Sequence, residues 1–217
     1  MSKTVSHILS VVFHPLLLLT YMVIIILAIN PYAFGVNRVI GALPVILAIF
    51  ATTFVLPAFG TLMLKWLGFI DSVQLTDSKE RIGPFLITGI LYLWAFRSMY
   101  QNDLVPLVYT SFMLGATIAL FLSFFINLFT KISIHSVGIA GCTTLLFLLY
   151  KTPNFDTLYW GNIQASVLLL GVLFILIWGI VAVARLQLKA HQPADIYGGL
   201  MVGIASQLIA AQIVGVL

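Results

Sequence analysis

Long apolar runs separated by short polar stretches make up almost the whole chain. Residues 8–30, 39–64, 104–130, 132–150, 163–184 and 196–217 each contain no Asp, Glu, Lys or Arg. A helix rises about 1.5 Å per residue, so runs of roughly 20 residues match the hydrocarbon layer of a bilayer. One further run, 82–96, is shorter, with only fifteen residues between Arg81 and Arg97. It reads as a span whose flanking arginines snorkel to the surfaces, or as a tilted or partly re-entrant segment. The pattern predicts an all-α, polytopic transmembrane helix bundle of six to seven spans. Pro15 falls near the start of the first span, where proline fits within the first turns of a helix. Pro44, Pro57 and Gly60 are expected to bend the second, neighbouring helices covering the freed backbone groups. Residues 151–162 read as a polar loop in which Tyr159 and Trp160 suit a membrane interface. No internal repeat divides the chain, so residues 1–217 form a single transmembrane domain.

Composition narrows the class. At 62% hydrophobic and 7% charged residues, with a mean hydropathy of +1.16, the chain cannot clothe itself in polar surface, and a soluble domain is excluded. The net charge of +4 is small and its basic residues sit beside apolar runs, which argues against a nucleic-acid partner. Cys142 is the only cysteine, so no intrachain disulfide forms. The first run continues past Ala28 without a small-residue cleavage site and reads as a retained span rather than a signal peptide.

Against this background the polar clusters stand out, because charge beside a hydrocarbon layer is costly. The densest is Arg185 to Asp195, R-L-Q-L-K-A-H-Q-P-A-D, with Arg185, Lys189, His191 and Asp195 between two apolar runs. A second is Lys131 to His135, and a third surrounds Lys79, Glu80 and Arg81. If the seven runs cross alternately, all three clusters emerge on one face. That convergence needs 82–96 to cross. Arg185, Arg81 and Lys79 would then offer fixed positive charge to an oxyanion, Arg with a planar fork suited to phosphate. A helix starting near Pro193 adds backbone N–H groups and the positive end of its dipole. His191 and Asp195 are four apart, so on a helix the carboxylate can hold one ring nitrogen and leave the other for nucleophilic attack or proton transfer. His135 can act as the opposed acid. A metal site from His135, His191, Asp195 and Glu80 is disfavoured because the surrounding basic residues oppose a cation. His14 reads as a packing or interfacial histidine.

Arg185-x5-His191-x3-Asp195 resembles the third signature of the type 2 phosphatidic acid phosphatase (PAP2) superfamily, with Ala184 in place of the serine that usually precedes the arginine. Ile132-Ser133-Ile134-His135 resembles the second signature, Pro-Ser-Gly-His, with its serine and histidine kept. The first signature, a lysine seven before Arg-Pro, has Gln74 at the lysine position counted from Arg81, Lys79 two before that arginine and Pro84 three after. The resemblance spans residues 79–217 and implies a PAP2-like core there. It implies metal-independent hydrolysis of a lipid phosphate or diphosphate with no cofactor, in a bacterial inner membrane. It implies His191 as the nucleophile that becomes phosphohistidine, Asp195 orienting it, and His135 protonating the leaving lipid oxygen. Arg185, Arg81, Lys79 and Ser133 would bind the phosphate. Phosphatidic acid, phosphatidylglycerophosphate and undecaprenyl diphosphate are the substrates considered. A lipid phosphotransferase sharing the phosphohistidine, and a non-catalytic transporter or scaffold keeping the frame, are the alternatives.

Overall fold

In the computed structural model, which describes residues 1–73, 80–160 and 163–217, the apolar runs are helical. The chain opens with α1 (Lys3–Val12) and α2 (Pro15–Ile29), followed by α3 (Leu43–Phe50) and α4 (Leu56–Trp66), which are joined by a wide π-helical turn over Ala51–Val55. Next come α5 (Ile82–Asn102), α6 (Leu107–Asn127) and α7 (Ile134–Lys151). A hairpin of β1 (Thr157–Trp160) and β2 (Ile163–Ser166) leads to α8 (Val167–Gln187) and α9 (Pro193–Val214). Pro31–Trp66 and each of α5 to α9 are long and apolar enough to cross a membrane, giving six spans, or seven if α1 and α2 count as one broken span. Large apolar side chains such as Leu169, Leu176 and Val183 of α8 point outward, as a lipid-facing surface requires. The protein is an all-α, polytopic membrane helix bundle with one small hairpin.

Four local features depart from the expectation. The first run, 8–30, is not one helix, because α1 and α2 meet at a 57° bend. Pro15 has no N–H to donate and takes the first helical position of α2, while the residue before a proline is driven out of the α region. His14 is accordingly extended (φ −63°, ψ 131°) and caps α2, its Nδ1 accepting the Leu16 N–H at 3.4 Å.

In the second run a proline is expected to bend the helix, and what differs is the form that the disturbance takes at Pro57. In a regular helix its missing N–H would leave the carbonyl of Thr53 unpaired and its ring would press on that group. The backbone widens into the π-helical turn, and the Tyr92 hydroxyl of α5 donates to the Thr53 carbonyl at 3.3 Å. The third departure is in α5, which runs 21 residues and does not stop at Phe96. Arg97 is exposed on the helix flank, where a long side chain can reach the interface without ending the helix. Finally, the run expected from residue 163 becomes helical only at Val167, because 163–166 pair antiparallel with 157–160, from Thr157↔Ser166 to Trp160↔Ile163. The Ser166 hydroxyl then caps α8 by accepting from the Leu168 N–H at 3.3 Å.

Packing centres on α9, which lies against α6 and α7, while α7 also packs on α8 and α1 packs on α8. The α7–α9 approach is close enough to need glycine. A Cβ on Gly199 would stand 2.7 Å from the Ser133 carbonyl oxygen, and one on Gly203 would collide with the carbonyl of Val137. Polar bonds lock the same contact. The Ser136 hydroxyl donates to the Ile196 carbonyl at 2.6 Å and accepts the Trp178 Nε1–H at 2.7 Å. The Ser133 N–H donates to the Asp195 carbonyl at 3.1 Å. The beginnings of α7 and α9 and the wall of α8 are therefore one rigid corner, and the candidate site is built on it.

Candidate active site

The strand of chain that carries His191 is held at both ends. At the end of α8, the Ala190 N–H returns to the Arg185 carbonyl and the Lys189 N–H to that of Leu186, a Schellman closure with Lys189 left-handed (φ 53°). The Lys131 ammonium donates to the Ala190 carbonyl at 3.4 Å. At the other end Gln192 caps α9 and Pro193 occupies its first turn. Asp195, two residues further on, turns its carboxylate back. Oδ2 accepts the Gln192 N–H at 3.0 Å and lies 3.2 Å from His191 Nδ1. A carboxylate only accepts, so the His191 proton sits on Nδ1 and the Nε2 lone pair is free. Burial pushes the ring well below its ordinary value, to about 4. The Arg185 and Lys131 charges act in the same direction, and Asp195 acts against them. Such a ring is neutral at physiological pH, the state in which an imidazole can act as a nucleophile.

His191 opens onto a cavity of about 610 Å³ whose walls also include Arg81, His135 and Arg185. Arg81 stands just before α5, with Nη1 donating to the Asn127 side-chain oxygen at 3.1 Å. Arg185 lies in the last turn of α8, with Nη1 donating to the Ser10 hydroxyl at 3.2 Å. Its buried Nε has no hydrogen-bond partner among the described residues. Such a donor is costly to leave unmet, so it marks a place where an acceptor is wanted. His135, in the first turn of α7, donates Nε2–H to the Ser10 carbonyl at 3.0 Å, which leaves its Nδ1 for other work. No Asp or Glu lines this cavity among the described residues. Most of the remaining wall is apolar and includes Phe54, Leu62 and Phe85 from the α3–α4 and α5 side. Cationic and histidine side chains therefore share one space with many apolar ones, which suits an amphiphile with an anionic head.

The three polar clusters read from the sequence are thus brought together through Arg81, His135, Arg185 and His191, with Asp195 behind His191. Lys79 and Gln74 lie outside the described residues. Ser133 does not line the cavity. The backbone there is extended (φ −88°, ψ 100°), so successive side chains alternate in direction, and Ile132 and Ile134 line the cavity while Ser133 turns away. Its fully buried hydroxyl caps α7, accepting the Ser136 N–H at 3.4 Å.

Two further residues contribute, Ser10, which the sequence does not mark, and His14, which reads from the sequence as packing or interfacial. Ser10 of α1 holds both His135 and Arg185, and His14 lines the cavity with its ring edge-on to His135, the centroids 5.9 Å apart. The available signal was His14-Pro15 itself, a helix start inside an apolar run. That places an ionisable ring at a break in a membrane segment, where such groups are commonly functional. Among the described residues no three His, Cys, Asp or Glu side chains are grouped as a metal site. No protein-family model, no curated protein and no solved structure matches this chain.

Proposed function

We propose that this protein is an integral membrane phosphatase that hydrolyses a lipid phosphate or lipid diphosphate through a phosphohistidine on His191. The observation that carries this reading is the make-up of one cavity. Two arginines and the Asp195-backed His191 face an apolar wall, with no carboxylate among the described lining residues. The resemblance of Arg185-x5-His191-x3-Asp195 to the PAP2 signature supports the same chemistry, and phosphatidic acid, phosphatidylglycerophosphate and undecaprenyl diphosphate are the substrates of choice. By the same resemblance we place the protein in a bacterial inner membrane.

In this reaction the Arg185 and Arg81 guanidinium groups take the non-bridging phosphoryl oxygens and neutralise charge that builds there in the transition state. His191 Nε2 attacks phosphorus. As the imidazole gains positive character, Asp195 steadies the proton on Nδ1. The bond to the lipid oxygen breaks with its electron pair on that oxygen, which takes a proton from Nδ1 of protonated His135. Water then attacks phosphorus, the P–N electrons return to His191, and neutral His135 takes the water proton. The apolar wall from Phe54 to Phe85 accommodates the lipid tail.

The test is phosphate release by purified, detergent-held protein from these three lipids, with EDTA present and H191A in parallel. Release that persists in EDTA and is lost in H191A is expected. No release from any of the three by folded protein, or equal release by H191A, contradicts the proposal.

A further inference from the structure

The reaction just described employs one histidine beside the leaving group, yet two imidazoles stand there. His14 lines the cavity with its ring at 83° to that of His135 and the centroids 5.9 Å apart. Its place is set by the break between α1 and α2, where Pro15 starts a new helix and His14 must cap it. The capping bond also settles the protonation pattern. Nδ1 accepts the Leu16 N–H, so that nitrogen is bare and the proton of the neutral ring is on Nε2. His135 is the mirror case, its Nε2–H given to the Ser10 carbonyl and its Nδ1 bare. Each ring has one nitrogen tied to the backbone and one left for chemistry, and the backbone ties belong to different helices.

We propose that His14 is a second catalytic histidine, acting with His135 as a paired proton donor to the leaving oxygen; this rests on the phosphatase reading. The pair can hold at most one extra proton, because two imidazolium rings this close, beside Arg185 and Arg81, repel each other, and in this scheme that proton is held once the anionic phosphate is bound. When the phosphorus–oxygen bond to the lipid breaks, the electron pair stays on the lipid oxygen and the shared proton goes to it. When water cleaves the phosphohistidine, the P–N electrons return to His191 Nε2 and the water proton returns to the pair, which ends as it began. Ser10 is a positioning residue in this scheme, holding His135 with its carbonyl and Arg185 with its hydroxyl. The broken first span is therefore part of the active site rather than an addition in front of it.

His14→Asn tests the pair. Asparagine is a strong N-cap residue, so the start of α2 is kept, but it carries no titratable proton. Phosphatidic acid, whose alkyl oxygen needs a proton to leave, is compared with para-nitrophenyl phosphate, whose leaving oxygen does not. The readout is kcat/KM, which covers events only through departure of the leaving group. We expect a loss of at least about tenfold on phosphatidic acid, and a loss several times smaller on the nitrophenyl ester. Equal losses on both, or no loss on phosphatidic acid, overturn the pair while wild-type turnover leaves the phosphatase reading standing. A wild type that turns over none of the three lipids removes that reading, and the pair with it.

Discussion

Asp195 holds His191 from inside the first turn of α9, its Oδ2 3.2 Å from Nδ1 and at the same time 3.0 Å from the Gln192 N–H. One carboxylate thus ends a helix and fixes a tautomer. Asp195→Asn presents an amide that can turn either its oxygen or its NH2 group to the ring, so the proton is no longer confined to Nδ1. We predict a fall in kcat of about 100-fold or more, by analogy with tautomer loss in other triads. The thermal midpoint should shift far less, since asparagine can still accept from the cap N–H. Steady-state kinetics and melting on the same preparation separate the two effects.

His191 should titrate abnormally. Burial, joined by Arg185 and Lys131, holds the ring near 4 rather than 6.5. The folded protein therefore binds fewer protons at this site than the unfolded chain between those values. The contribution of His191 to stability is complete above pH 6.5 and is lost as pH falls towards 4. NMR titration of labelled histidine in the free, detergent-held protein should place the His191 midpoint near 4. A midpoint at 6.5 would mean an open, solvated ring.

The corner that carries the site depends on contact between α7 and α9. Gly203→Ala drives a methyl into the Val137 carbonyl, whereas Gly198→Ala meets nothing within 4 Å. The first should cost about 1–3 kcal/mol and lower activity by displacing the start of α9, as overpacking does. The second should be neutral or slightly stabilising, as alanine is in a helix. Thermal melts of the two variants decide this.

Arg185→Lys keeps the charge and loses the fork. Nη1 reaches the Ser10 hydroxyl and Nε is the buried donor without a partner among the described residues, and one ammonium cannot reproduce both directions. We expect kcat/KM to fall at least about tenfold with little change in folding, since a charge-assisted phosphate contact is worth about 1.5–3 kcal/mol. Retained activity would show that Arg185 acts only as a point charge.

The gross architecture was legible because hydropathy alone sets the length of a membrane helix, and alternate crossings were enough to bring Arg81, His135, Arg185 and His191 to one end. What escaped was local. The pairing of β1 with β2 and the persistence of α5 through Arg97 depend on strand partners and on side-chain reach, which a count of charges does not register. Ser133 shows the same limit from another direction. A serine before a helix is what a cap looks like and also what a phosphate ligand looks like, and only the direction of an extended backbone separates them. His14 reads from the sequence as packing or interfacial because a lone histidine in an apolar run is usually that. The neighbour that alters that reading, His135, lies 121 positions away in the sequence.

The most direct test of the central claim is to trap the phosphoenzyme. Protein mixed with a lipid phosphate labelled at phosphorus is quenched within the first turnover and digested, and the labelled peptide is sequenced. An acid-labile, base-stable label on His191, absent in H191A, is expected. A label on another residue, or turnover with no label at any quench time, would contradict the claim.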